Sequence, residues 1–390
     1  MQLARIRFFS VLLIILVTIS DSFSQKPDYH YENGGNKANH KVKKFNKIDF
    51  TGKPVKNIIL MIGDGMGPSQ VYAGLIANKG SLNLENFPYA GFVKTHSADE
   101  LITDSAAGGT AMATGEKTNN GMVSVDPTNR PLKTILEIAE KNGKSTGLVA
   151  TSTITHATPA SFIAHVYSRN DYERIASEFL KTDVDVFIGG GRDHFTKRFD
   201  QQDLTLELVE NGYTVIDSLS ELKASSSDKI AGLIYADSPP SILDGRGEML
   251  SIATAKAIEV LSRNNEGFFL MVEGSQIDWG NHQNNIDYQT TEMLDFDKVI
   301  GEVLTFASEN RETLVIVTAD HETGGLTVVG GDMDKGQVEA AYASMGHTPT
   351  MVPIFTYGPH AESFSGIIDN TEIFDKMIEA FENKFVTMTE

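Results

Sequence analysis

The chain alternates short apolar runs with stretches of helical spacing. Asn57–Ile62 is apolar and β-branched and stops at Gly63-Asp64-Gly65. Ser145–Ala150 stops at Thr151-Ser152-Thr153, and Val184–Ile188 stops at three glycines, Gly189 to Gly191. Gly267–Val272 stops at Glu273, Thr313–Thr318 stops at Asp320-His321, and Met351–Tyr357 is one more such run. Short runs without alternation predict strands buried on both faces, as in a parallel sheet. Between them, Pro131–Lys141 places Leu132, Ile135, Leu136 and Ile138 on one side. Glu248–Ser262, Asp287–Ser308 and Glu372–Phe385 also read as helices. Strand, loop and helix in repetition predict an α/β fold with a mainly parallel sheet. Such sheets bind ligands outside the carboxyl ends of their strands. Several of these runs end there in acids, histidines or hydroxyls.

The beginning of the chain has a different pattern. Arg5 and Arg7 precede an almost wholly apolar stretch from Phe8 to Ile19, and Ser22-Phe23-Ser24 offers a small-x-small cleavage site. This predicts a signal peptide over 1–24, too short for a comfortable membrane span, and so a periplasmic or secreted bacterial protein. Residues 25–50 are polar, with a basic cluster at Lys41, Lys43 and Lys44, and read as a solvated lead-in. The remainder, 51–390, reads as one domain.

Composition narrows the chemistry. With 41% hydrophobic residues the chain can build a large core, and with no Cys it can form neither a disulfide nor a thiolate ligand. Imidazole is the softest ligand left, and there are 10 His. A formal charge of −19 argues against nucleic acid as a specific partner. A phosphorylated substrate would then need a local source of positive charge, which bound metal ions can supply.

Each candidate residue has an ordinary reading when taken alone. Asp64 could be an Asp in a tight glycine turn. Ser105, in Thr103-Asp104-Ser105-Ala106-Ala107-Gly108-Gly109, could lie beside or at a plain helix cap. Free amides at a helix start would also stabilise an alkoxide or phosphate there. Arg169 could be a surface charge, but its planar fork matches two phosphate oxygens. Asp278 and His282 are four apart, so one helical turn puts both on one face, and Glu273 ends the strand before them. Asp320-His321 ends the next strand, and His347 precedes a further one. Together, Asp64, Glu273, Asp278, His282, Asp320, His321 and His347 supply nitrogen and oxygen ligands for two or three divalent ions. With Ser105 as nucleophile and Arg169 as anchor, the set fits metal-assisted phosphoryl transfer.

These motifs resemble the alkaline phosphatase family. The resemblance rests on Gly63-Asp64-Gly65, Thr103-Asp104-Ser105-Ala106-Ala107, Ala157-Thr158-Pro159-Ala160 and His165-Val166-Tyr167-Ser168-Arg169. It continues through Glu273 to His282, Thr318-Ala319-Asp320-His321-Glu322-Thr323-Gly324-Gly325 and Gly346-His347-Thr348, spanning residues 57–360 in order. The resemblance implies a three-layer α/β/α sandwich and hydrolysis of small phosphate monoesters, at an alkaline optimum, through a phosphoserine at Ser105. It implies one zinc on Asp278, His282 and His347, and a second on Asp64, Asp320 and His321 beside Ser105. It implies a magnesium on Asp64, Thr158 and Glu273. His156 stands where the best-known bacterial members carry Asp, and Trp279 where they carry Lys. His156 is expected beside the third metal, which leaves the occupant of that site open; both residues are expected to border the substrate, and Trp279 to loosen the hold on product phosphate. Only 25 residues separate His321 from His347, so an inserted crown domain must be small or absent. A homodimer is implied by family alone, with a monomer as the alternative. Phosphodiesterases share such a two-metal core, but Ser105 with Arg169 favours monoesters.

Overall fold

A computed structural model of the chain describes residues 31–32, 39–45 and 48–381. The expected signal peptide, 1–24, lies outside the described residues. In chain order the strands are β1 (Tyr31–Glu32), β2 (Asn57–Gly63), β3 (Tyr89–Lys94), β4 (Ser145–Thr153) and β5 (Val186–Gly190). There follow β6 (Thr214–Ile216), β7 (Ile230–Leu233), β8 (Phe268–Gly274), β9 (Thr313–Thr318) and β10 (Glu322–Thr323). The last are β11 (Thr327–Asp332), β12 (Gln337–Ala341), β13 (His347–Thr348), β14 (Val352–Tyr357) and β15 (Gly366–Asp369). Ten of them form one sheet in the order β15-β3-β14-β9-β2-β8-β4-β5-β7-β6. β14 alone runs against the rest. The fold is the expected α/β arrangement, a large and mainly parallel sheet flanked by helices.

The central strands carry no alternation because both their faces are covered. Ile58, Ile59, Leu60, Met61 and Ile62 of β2 are all fully buried. Burying each such side chain contributes roughly 1.5–3 kcal/mol relative to leaving it in water. Strand register then aligns the functional ends. Ile62 pairs with Glu273 of β8 on one side and Thr318 of β9 on the other, and Ala150 of β4 pairs with Glu273. The residues that follow β2, β8, β9 and β4 therefore meet at one rim.

Three details differ from the sequence expectations. The helix expected over Pro131–Lys141 begins only at Ile135, behind a capping box in which Thr134 and Glu137 satisfy each other's amides. Pro131 is instead extended and bridges to Val125. The edge strand β15 and its neighbour β3 have mixed exposure and short apolar content, so periodicity does not reveal them. The lead-in is not free in solvent over its described part. β1 pairs with β12, Asn39 Nδ2 donates to Ala77 O at 3.0 Å, and His40 Nε2 lies 2.7 Å from the buried Asp297 Oδ2.

Between His321 and His347 the chain makes a hairpin, β11–β12, which joins β1 in a three-stranded sheet. This is a small insertion. Among the described residues no helix is long and apolar enough to cross a membrane.

Candidate functional site

Asp64 follows β2 directly, in a turn that needs Gly65 at φ +72°. A Cβ on Gly65 would lie 2.8 Å from Asp278 Cα and 2.9 Å from Thr323 Oγ1, so only glycine lets these segments approach. Ser105 is the first residue of a helix, Ser105–Thr114, every residue of which is buried. Small side chains allow this. A Cβ on Gly108 would meet Asp320 O at 3.0 Å, so the helix lies directly against the end of β9. The helix is capped by Asp104, whose Oδ1 accepts from Ala107 N at 3.0 Å.

Asp104 has a second role that its capping position hid. Its other oxygen, Oδ2, accepts from Arg169 Nη1 at 2.8 Å and from Gly121 N at 3.0 Å. Arg169 is thereby held beside Ser105 with most of its fork unspent. The Asp104 charge holds the guanidinium ionised against the effect of burial.

Ser105 Oγ lies 3.2 Å from His321 Nε2. The same Nε2 is 3.4 Å from Asp64 Oδ1 and 3.3 Å from Asp320 Oδ2. Asp278 and His282 are indeed four apart on one short helix, with His282 Nε2 3.2 Å from Asp278 Oδ2. His347 Nε2 is 3.2 Å from His282 Nε2, and the His347 ring stacks on His321 at 3.5 Å. Glu273 ends β8, and Thr158 lies in the turn Ala157–Ala160. The structure thus brings together every candidate that the sequence singled out on β2, β8, β9 and the segment before β14.

Within this region three groups could each hold a metal ion, their ligand atoms lying within 4.8 Å of one another. They are Asp278, His282 and His347; Asp64, Asp278 and His321; and Asp64, His156 and Glu273. Hydrogen bonding presets the imidazoles for this. His282 Nδ1 faces Met345 O at 2.6 Å and His347 Nδ1 faces Thr103 O at 2.8 Å. His321 Nδ1 faces Thr323 Oγ1 at 3.2 Å, whose own proton goes to Asp278 Oδ1 at 2.5 Å. Each Nδ1 therefore faces an acceptor to which it can donate, which turns Nε2 inward, where its lone pair takes a proton or a metal ion. Two such lone pairs, on His282 and His347, face each other and repel unless a cation or proton lies between them.

Buried oxygens make the same point. Asp64 Oδ1 and Oδ2, Asp320 Oδ2, Glu273 Oε1 and Thr158 Oγ1 are buried without hydrogen-bond partners, as is His156 Nδ1. Unsatisfied buried carboxylate oxygens are costly unless they coordinate something. Burial, then the charges of Asp320, Asp278 and Glu273, raises the Asp64 carboxyl well above its usual range. Burial pushes Glu273 up to about 8, and burial with the Asp278 charge pushes Asp320 up to about 6. Burial also acts on Asp278, but the His282 hydrogen bond and the neighbouring imidazoles outweigh it and hold that carboxyl below its usual range. His282 is raised to about 9, chiefly by its bond to Asp278. Such crowding of like charges is what divalent cations relieve.

His156 and Trp279 stand edge to face with ring centres 6.0 Å apart. Burial lowers the His156 imidazole to about 3, so it is neutral. His156 shares a potential ligand group with Asp64 and Glu273. Sequence reading missed the Asp104 clamp, and also Thr323 and Glu322, which contact ligand-bearing segments. The available signal was an acid and a hydroxyl placed directly after Asp320-His321.

Comparison with known proteins agrees with this geometry. The family described as "Alkaline phosphatase" matches residues 55–337. Alkaline phosphatase 4 of Bacillus subtilis is 33% identical, over 82% of this chain and 87% of its own. The alkaline phosphatase of Escherichia coli is 32% identical, over 83% and 86%. The structure of the alkaline phosphatase from the Antarctic bacterium TAB5 superposes with a TM-score of 0.81 at 42% identity, covering 85% of this chain and 99% of that one. A variant of that enzyme with a histidine replaced by aspartate was solved with magnesium bound in its M3 site.

Proposed function

The chain belongs to the alkaline phosphatase family and hydrolyses phosphate monoesters, and from that premise we propose how its residues divide the work. Ser105 is the nucleophile. Its oxygen forms the bond to phosphorus while the bond from phosphorus to the alcohol oxygen breaks, so the alcohol departs and a phosphoserine remains. Water then attacks that phosphorus, the bond to Ser105 Oγ breaks, and inorganic phosphate leaves. Arg169 donates to two non-bridging oxygens, held in place by Asp104. The observation that carries this reading is Ser105 Oγ at the amino end of a buried helix, 3.2 Å from an inward-facing imidazole nitrogen and beside a clamped arginine.

Asp278, His282 and His347 would hold one zinc, and Asp64, Asp320 and His321 a second beside Ser105. Magnesium would be held by Asp64, Thr158 and Glu273. The pairing of Nδ1 protons, the facing lone pairs and the orphaned carboxylate oxygens support these assignments. When bound, such ions lower the pKa of the attacking hydroxyl and stabilise charge on the leaving oxygen. His156 adds a nitrogen donor near the third site, and nitrogen suits zinc better than magnesium. Metal analysis of the purified protein decides that occupant. Export through residues 1–24 to the periplasm or medium is part of the same proposal, as is a homodimer.

The test is phosphate release from p-nitrophenyl phosphate beside bis-p-nitrophenyl phosphate, with and without chelator, from pH 6 to 11. Monoester cleavage that rises with pH and is abolished by chelator supports the reading. Preference for the diester removes the role given to Arg169. The Ser105→Ala variant should lose most of its rate and show no phosphoserine by mass spectrometry after an acid quench.

A further inference from the structure

Glu322 is a buried carboxylate, 3% exposed, with no cation among its described partners. Four donors surround it. Oε1 accepts from Gln70 Nε2 at 2.7 Å and Leu326 N at 3.2 Å. Oε2 accepts from Gly325 N at 3.2 Å and from the Thr348 hydroxyl. The donors come from separate segments. Gln70 lies on the helix Pro68–Ala77, which follows the Asp64 turn, and a Cβ on Gly67 would meet Glu322 Cγ at 2.3 Å. Thr348 is the neighbour of His347, and Glu322 itself is the neighbour of His321.

The pairing of β10 with β13 sets Glu322 opposite Thr348 and Thr323 opposite His347. The strand pair is only two residues long on each side, so its backbone bonds alone hold it weakly. The Thr348 hydroxyl bond to Glu322 closes it from the side chains. Gln70 Nε2 extends the tie to Thr323 O at 2.7 Å. Thr323 in turn bonds Asp278 and His321.

We propose that Glu322 is a positioning residue for the metal centre, tying the Asp64 turn, the His321 strand end and the His347 segment into one frame. A carboxylate is required because all four partners are donors. Glutamine would present its amide hydrogens to two of them. Groups that orient metal ligands from behind typically change metal affinity 10- to 100-fold when removed. The inference rests on the ligand assignments proposed above.

Zinc titration against a competing chelator tests it, on wild type and on the Glu322→Gln, Thr348→Val and Gln70→Leu variants, beside thermal unfolding of the metal-free proteins. Thr348→Val removes the tie to the His347 segment, together with the exposed contacts of that hydroxyl to Thr350. It should weaken one zinc equivalent about tenfold and leave the other unchanged. Gln70→Leu removes the tie to the Asp64 turn and should weaken the other equivalent. Glu322→Gln should weaken both, and if it does not fold, the two single-donor variants carry the test. The cobalt-substituted proteins should show altered visible spectra at the affected site. Lower melting temperatures with zinc affinities and cobalt spectra unchanged would overturn the proposal, since Glu322 would then only stabilise the fold. If the wild type binds no zinc, the ligand assignments themselves fail, which is a distinguishable result.

Discussion

Replacing Arg246 by methionine should destabilise the protein strongly, and more so at higher pH. Arg246 is 2% exposed, and its Nη2 donates to Asp295 Oδ2 at 2.9 Å and also to Glu292, both buried. Glu292 keeps one other donor, Ile242 N at 2.9 Å. Methionine keeps most of the volume but leaves two carboxylates without their cation. Two charge-assisted hydrogen bonds are lost, each worth about 1.5–3 kcal/mol. Removing one partner of a buried ion pair typically costs about 3–5 kcal/mol, in the same range. Burial already holds both carboxyls above their usual range in spite of Arg246. A carboxyl whose folded pKa exceeds its unfolded value, near 4, contributes stability below that unfolded value and loses it as pH rises through the folded one. Without Arg246 both folded values climb further. The deficit against wild type should therefore widen from pH 5 to pH 8. Equilibrium urea unfolding at both pH values measures it. A deficit below about 1 kcal/mol, or one that does not change with pH, would refute the reasoning, because neither fits two stranded buried charges. Replacing all three side chains with apolar ones of similar volume should recover most of the loss.

Other consequences can be checked on the same protein. Arg169→Lys cannot hold Asp104 and grip two phosphate oxygens with one ammonium, so kcat/KM should fall about 10- to 100-fold, the worth of one charge-assisted bond; an unchanged value would remove Arg169 from the site. Trp279→Lys adds a cation beside the phosphate position and should tighten inhibition by inorganic phosphate roughly two- to fivefold, as expected of a solvent-screened pair. Burial raises Glu140 to about 7, so its ionisation costs stability as pH rises from about 4.5 through 7. Glu140→Gln, which keeps an acceptor for Thr146 Oγ1, should flatten that decline by about 1–2 kcal/mol after allowing for partial exposure, as read by denaturation across that range.

The catalytic rim was legible because its strands are central. A strand covered on both faces is written as an unbroken apolar run, and whatever polar residue stops the run marks the rim. Asp64, Glu273 and Asp320 were visible in this way. The helix from Ser105 was legible only at its cap, since all-round burial of small residues leaves no amphipathic stripe. What stayed hidden depends on pairing between distant segments. Asp104 reads as a cap until Arg169 arrives from 65 positions away. Glu322 reads as one more acid until Gln70 and Thr348 close on it. For His156, a place beside the third metal came from the family resemblance alone, since nothing in its local sequence points to Asp64 and Glu273.

The reversed direction of β14 has a consequence for how such a chain can change length. Because β14 starts at the rim where β9 ends, the excursion carrying the β11–β12 hairpin leaves and re-enters at the same level of the molecule. Both its roots, His321 and His347, are pinned by stacked rings and by the short β10–β13 pair. Chain added between those roots does not have to cross the sheet, and each doubling of a flexible loop costs only about 0.6 kcal/mol in closure entropy. The hairpin is thus a port through which this architecture can accept or shed an accessory module while the distance between its roots stays the same.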